Sequence, residues 1–153
     1  MASQIPNAFK GRLMGDTAQI ATAINLATDT IKIMLVAAST WTPNIDTDVF
    51  IDDGTANDAK SNEVAASGTY SAGGATLTMT GSTDDTDDEG VFDATDVSWT
   101  SATITARYAV VYKSTGVDTT SPIIAIIDFG SDQTSTVGTF LITFAAEGII
   151  NLA

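Results

Sequence analysis

Residues 101–113 read Ser101-Ala-Thr-Ile-Thr-Ala-Arg-Tyr-Ala-Val-Val-Tyr-Lys113, with Ile104, Ala106, Tyr108 and Val110 on alternate positions and Thr103, Thr105 and Arg107 between them. A period of two is what a strand shows when one face is buried and the other is wet. Two more segments follow. Pro122 to Phe129 (PIIAIIDF) is apolar almost throughout, as in a strand covered on both faces. Thr139-Phe-Leu-Ile-Thr-Phe144 alternates again, with Phe140, Ile142 and Phe144 together. The linkers 114–121 and 130–136 are built from Gly, Ser, Thr and Asp, the residues that turn a chain. From Trp99 to Phe144 the expectation is therefore three long strands in a meander.

Upstream, Asp29–Ala37 predicts a strand with Ile31, Ile33 and Leu35 facing the core, ended by Trp41-Thr-Pro43. Residues 44–62 are polar and rich in Asp, interrupted by Val49-Phe50-Ile51, read as a short strand or a plug. Ala59–Val64 fits one helical turn. Extended structure resumes over 68–80 around a turn or bulge at Gly73-Gly74. Short strands are expected at Val91–Asp93 and Asp96–Trp99, and a last one in Gly148–Leu152. Helical spacing is confined to Asn7–Leu26. Phe9, Leu13 and Met14 share one face there, and Ile20, Ala23, Ile24 and Ala27 repeat at i, i+3, i+4 and i+7. Gly15-Asp16-Thr17 supplies a break and an N-cap between two short helices, or a helix and a turn. That segment either caps an open end of the sheet or reaches a neighbouring subunit as a docking arm. The predicted fold is all-β: an antiparallel β-sandwich or flattened barrel with a short N-terminal helical segment. An arm at 1–28 precedes one β domain at 29–153. Connections in the later half are too short for the crossovers of a parallel sheet.

Composition narrows the chemistry. The 153 residues carry 44% hydrophobic and 16% charged residues, enough apolar content for a packed core. So low a charged fraction points to a surface partly covered in an assembly. The net charge is −13 with six Lys and Arg, too few cations for a basic stripe along nucleic acid and the wrong sign for an anionic membrane. No apolar run reaches the length of a spanning helix, and Met1–Pro6 lacks the plan of a signal peptide, so the expectation is a soluble, unsecreted protein. With no Cys and no His, disulfides, thiolate nucleophiles and Cys/His zinc sites are excluded, as is the commonest general base.

The strings Asp29-Thr-Ile-Lys-Ile33, Thr42-Pro-Asn-Ile-Asp46, Asn62-Glu-Val64, Gly68-Thr-Tyr-Ser-Ala-Gly-Gly-Ala-Thr-Leu77, Val91-Phe-Asp-Ala94, Ala102–Lys113 and Ser121–Gly130 together resemble a family of small tailed-bacteriophage virion proteins. The likeness runs from about Phe9 to the C-terminus, with extra residues in 17–27 and 56–61. It implies a structural particle component, with capsid decoration (cement) as the favoured role. Such a protein sits as a homotrimer on the capsid exterior and bridges major capsid protein subunits. The family carries over no catalytic residue. A neck or tail component is the structural alternative.

Three constellations carry a chemical reading. Asp85, Asp87, Glu89, Asp93 and Asp96 occupy positions 1, 3, 5, 9 and 12 of an EF-hand-like loop, with Gly90 at position 6. Its strand-like flanks, Glu at 5 and Asp at 12 argue for solvated charge in the loop Asp84 to Asp96, and a second acidic patch at Asp46, Asp48, Asp52 and Asp53 is weaker still. A glycosidase needs two acids fixed across a cleft, and only Glu63 and Glu147 stand apart from the acidic loops. Trp41, Trp99, Tyr70, Tyr108 and Tyr112 would stack on sugars in a calcium-dependent carbohydrate-binding sandwich, but their places in or beside strands favour packing. Arg107 forms an ion pair either within the chain or between subunits. No residue is therefore assigned as catalytic, cofactor-binding or metal-ligating, and the protein is not read as an enzyme. Contacts between subunits are expected from Ile5–Met14 and exposed strand edges.

Overall fold

A computed structural model describes residues 2–15 and 23–152. In chain order its elements are β1 (Ala2–Gln4), α1 (Asn7–Leu13), β2 (Ile31–Val36), β3 (Ala75–Thr76), β4 (Met79–Asp84), β5 (Glu89–Ala94), β6 (Val97–Lys113), a 3-10 turn at Asp118–Thr120, β7 (Ile123–Ile142) and β8 (Ile150–Leu152). A five-stranded sheet runs β1-β7-β6-β2-β3 and a three-stranded sheet runs β4-β5-β8, every pairing antiparallel. This is the all-β sandwich with a short N-terminal helix that the strand spacing predicts.

The three expected strands between Trp99 and Phe144 are two. Residues 114–121 form the hairpin loop, whereas 130–136 continue β7, which pairs with β6 from Tyr112↔Ile123 down to Val97↔Ile142. The turn residues at 130–132 mark a bulge instead. Ala106 pairs with Gln133 and Tyr108 with Asp128, so extra β7 residues lie opposite Arg107. Gly130, at φ +81, takes the left-handed backbone this kink needs, and its N–H donates to Asp128 Oδ1 at 2.7 Å.

That bulge corrects a second expectation. Ile104 and Ala106 share the core between the sheets with Ala109 and Val111, while Tyr108 and Val110 face the opposite side. An irregularity in the ladder flips the faces of every residue beyond it. Ser101, at φ +54, does the same lower down: Val97 and Trp99 are buried before it, Ala102, Ile104 and Ala106 after it.

The upper hairpin is thus covered on both faces. Toward the small sheet lie Ile31, Ile33, Leu35, Val111, Ile124 and Ile127, packed with Leu77, Ala94, Ile149, Ile150 and Phe9 of α1. Ile31, Ile33 and Leu35 face the core as the strand pattern predicts. On the other side Met34, Val36, Val110, Tyr112, Ile123 and Ile126 meet Trp41, Ile51 and Ala59 from the polar connection between β2 and β3. Val49-Phe50-Ile51 is the plug: Ile51 is fully buried, Phe50 bridges Pro122, and Ile51 N–H donates to Ser121 O at 3.0 Å. Asn62 holds this flap together. Its Oδ1 accepts from Ser39 Oγ and Thr40 Oγ1, and its Nδ2 donates to Ala56 O and to Asp58 O at 2.7 Å.

Within the N-terminal segment the described residues show a helix followed, after 16–22, by a turn at 26–28. Helix α1 ends at Leu13, and Gly15 at φ +82 turns the chain out of it. Of the residues expected on one face, Phe9 is fully buried whereas Leu13 and Met14 are exposed. The proposed cap Asp16-Thr17 and Ile20 lie outside the described residues. Residues 26–28 form a turn tied by Asp29 N–H to Asn25 O at 2.9 Å. Strand β1, which has no apolar pattern to announce it, pairs with β7 at Ala2↔Asp128 through Gln4↔Ile126.

Gly74 sets how closely the flap approaches β2. It has φ +68, and a Cβ there would overlap the Ile33 carbonyl. Replacing Gly74 with Ala is expected to destabilise the fold by about 3 kcal/mol or more, read as a lower urea midpoint. An unchanged midpoint would show that the flap is not pressed onto β2.

Candidate functional site

The structure takes most of the chemistry-bearing side chains into its own framework. Glu63 is the clearest case. Its Oε1 accepts from the Tyr70 hydroxyl at 2.8 Å and from Gly73 N–H at 2.5 Å, while Lys60 Nζ lies 2.7 Å from its Oε2. Tyr70 OH accepts in turn from Leu35 N–H at 3.0 Å, and Tyr112 OH donates to Gly73 O at 2.8 Å. Burial first, and then the Glu63 charge, push both tyrosine hydroxyls well above the usual phenol range. Such phenols stay neutral and act as fixed donors. The group fastens the flap to β2. Glu147, the other isolated acid, is exposed on the turn before β8.

The sequence spacing that resembles a calcium loop is drawn out into a hairpin. Strands β4 and β5 pair from Met79↔Ala94 to Asp84↔Glu89, leaving 85–88 as the tip. Glu89 and Asp93 lie four residues apart along β5, about 13 Å of extended chain, instead of on one closed loop. Asp93 Oδ1 accepts from Ala94 N–H, Asp96 Oδ1 from Phe144 N–H at 3.1 Å, and Glu89 from Asn151 Nδ2. Among the described residues no group of three or more acids is placed to hold a metal ion.

The second acidic patch shapes turns. Asp46 accepts from Asn7 Nδ2 at 2.7 Å, Asp52 from Gly54 N–H at 2.8 Å, and Asp53 from both the N–H and hydroxyl of Thr55. The Thr55 hydroxyl bond is the main reason the Asp53 carboxyl sits below the usual range. Asp48 goes the other way. Burial raises it, and the charges of Asp53 and Asp58 add to the rise against hydrogen bonds from Asn44 N–H and Trp41 Nε1.

Arg107 makes its ion pair within the chain. Its Nε donates to Asp128 Oδ1 at 2.6 Å and its Nη2 to Oδ2 at 3.1 Å, a two-pronged bridge across the β7 bulge. That bond, and Gly130 N–H after it, hold Asp128 below the ordinary carboxylate range. The aromatic side chains are largely internal. Trp41, Trp99, Tyr70 and Tyr112 are buried, with edge-on pairs Trp41–Tyr108 at 5.4 Å and Tyr70–Trp99 at 5.2 Å. Tyr108 is half-buried, with the Arg107 guanidinium over its ring at 5.6 Å.

Two features carry no signal in the sequence. Arg12 is nine-tenths buried with its guanidinium over the Phe50 ring at 5.5 Å, no hydrogen-bond partner among the described residues for its three side-chain nitrogens, and a charge that burial disfavours. The other is the outer edge of lower β7. Strand β1 covers this edge only as far as Asp128, and among the described residues no strand pairs with it from Phe129 to Ile142. Val137 lies there at φ +46, a strained position for a β-branched residue that costs on the order of 1–3 kcal/mol. Its side chain is 77% exposed and that of Leu141 is 58% exposed. A shallow groove of about 430 Å³ runs alongside, lined by Phe129, Phe140, Thr139 and Thr143.

No known protein family, no curated protein and no solved structure matches this chain.

Two measurements check the framework reading. Tyr70→Phe leaves Leu35 N–H and Glu63 short of a partner and is expected to cost about 1–3 kcal/mol in urea unfolding; no loss would mean the hydroxyl bonds are idle. For pH, Asp128, Asp53 and Asp29 are lowered in the fold. They contribute stability above the ordinary carboxylate range and lose it as pH falls through their lowered values. Asp48, being raised, opposes that trend. Stability should therefore drop below about pH 4, Asp128→Asn should flatten the drop, and Asp48→Asn should raise stability at pH 7. A stability that climbs from pH 5 to pH 3 would contradict these assignments.

Proposed function

We propose that this chain is a bacteriophage virion structural protein, a capsid decoration (cement) protein that binds the outer surface of the major capsid protein shell and stabilises it. The observation that carries the reading is the internal use of the reactive groups. Glu63, Tyr70, Arg107 and the two tryptophans serve the fold, so what is left for function is surface. The virion-protein strings, Ala102–Lys113 and Ser121–Gly130 above all, coincide with the hairpin that organises the sandwich. A net charge of −13 suits the exterior, because an inward position would set the protein against the packed genome.

The mechanism is mechanical. A folded body that spans neighbouring shell subunits adds buried area across their seams and so resists outward pressure. Copies of the chain associate with one another, as the homotrimer in the resemblance implies, and the shell provides the second contact. A neck or tail ring made of the same sandwich is the structural alternative.

Sedimentation with empty phage heads tests the reading. Saturable binding to intact heads, together with a higher temperature of head disruption, is the expected result. Failure to bind heads would overturn it. A large rise in Tm on adding calcium, with retention on a carbohydrate matrix, would favour a sugar-binding module instead.

A further inference from the structure

We infer that the outer edge of lower β7, from Gln133 to Thr143, is the contact surface between copies of this chain. This rests on the proposed assembly of copies but not on where the assembly sits.

Three observations converge on it. First, the edge is chemically unfinished. Strand β1 fills its upper end at Asp128–Ile126, which shows that the edge accepts an antiparallel strand, and below that, among the described residues, the backbone of β7 has a strand neighbour, β6, on one side only. The corresponding edge of lower β6 is closed by the chain itself: Thr69 N–H donates to Thr100 O at 3.1 Å, Thr100 N–H to Thr69 Oγ1 at 2.9 Å and Thr103 N–H to Ser67 Oγ at 2.8 Å. An open strand edge pairs with whatever fits unless charges, prolines or a cover protect it.

Second, the protection is missing. Residues 133–146 contain no Asp, Glu, Lys, Arg or Pro, in a chain with a net charge of −13. Two such anionic bodies repel wherever carboxylates meet, and this segment lets them touch without bringing acids together. A cationic partner would find nothing here to pair with. Charge thus selects a second copy over a basic protein.

Third, the shape is specific. The ladder shifts register between Ala102 and Ile104 opposite this stretch, and Val137 is held there in a left-handed conformation with its side chain pushed outward. Val137 and Leu141 stand exposed beside the groove under Phe129 and Phe140. A bent edge of this kind does not register with a flat extended peptide from an arbitrary protein. It fits a partner shaped by the same sequence, with the exposed Val137 side chain as the group that enters it.

The test is light scattering on the purified full chain across a dilution series. The wild type should show a multiple of the 15.8 kDa subunit mass. Val137→Asp with Leu141→Asp should raise the dissociation constant by about 100-fold or more, with an unchanged circular dichroism spectrum because both side chains are exposed. Val137→Gly, which relieves the backbone, should weaken association while leaving Tm equal or higher. Val117→Asp, an equally exposed site in the hairpin loop, should associate like wild type. A wild type that stays a single subunit at millimolar concentration overturns the inference, as does undiminished association of the double Asp variant or of Val137→Gly. If copies associate through this edge yet ignore empty heads, the proposed function fails and this contact stands. If heads are bound while the edge variants associate normally, the contact fails and the function stands.

Discussion

The pairing of β6 with β7, and the bulge that divides it at Arg107, is the constraint on which the other parts of the molecule depend. Above the bulge the hairpin is buried on both faces, so it needs two covers. The small sheet supplies one and the β2–β3 flap supplies the other. Below the bulge only one face is apolar, and the ladder becomes a half-exposed ribbon with an open side. Without the switch, Ile104 and Ala106 would share a face with Tyr108 and Val110, and the inter-sheet core would lose one pair or the other. The Arg107–Asp128 bridge spans this point and Gly130 makes it possible.

The acids take on a different meaning in this frame. A chain with so many carboxylates invites a search for metals or acid catalysis. Here Asp52, Asp53 and Asp58 accept hydrogen bonds within the flap, which has little regular structure to satisfy its own amides, and Asp46 accepts one from Asn7 of α1. The cost of crowding appears at Asp48, whose ionisation is disfavoured by burial and by two neighbouring charges. The flap is anionic because its turns are built from Asp.

Strands with a strong apolar run were legible from the residues alone, as Ile31, Ile33 and Leu35 show. What escaped was non-local. The segment 130–136 has the composition of a turn, yet Thr134 and Ser135 lie opposite Thr105 and Ile104, and a half-exposed threonine suits a ladder once a partner strand is present. The face switch at Arg107 leaves no trace because Tyr108 and Val110 are as apolar as Ile104. The second cover over Met34 and Val36 was hidden by the polarity of 44–62, where Trp41, Ile51 and Ala59 are too scattered to show a period. The calcium-like spacing at 85–96 hid the converse: residues 85–88 form only the tip, and 89–94 run out as β5 along β4. Of the candidate site, the open edge was foreseen only as exposed strand edges in general. Its identity depends on where β1 stops on β7.

We propose that this sandwich acts by its surface, as a part of a phage particle. Cryo-electron microscopy of tailed-phage virions carrying the chain tests that most directly. The expected result is density for the two-sheet body on the outer face of the head, over seams between major capsid protein subunits. Density confined to the tail, or particles complete without this chain, would contradict it.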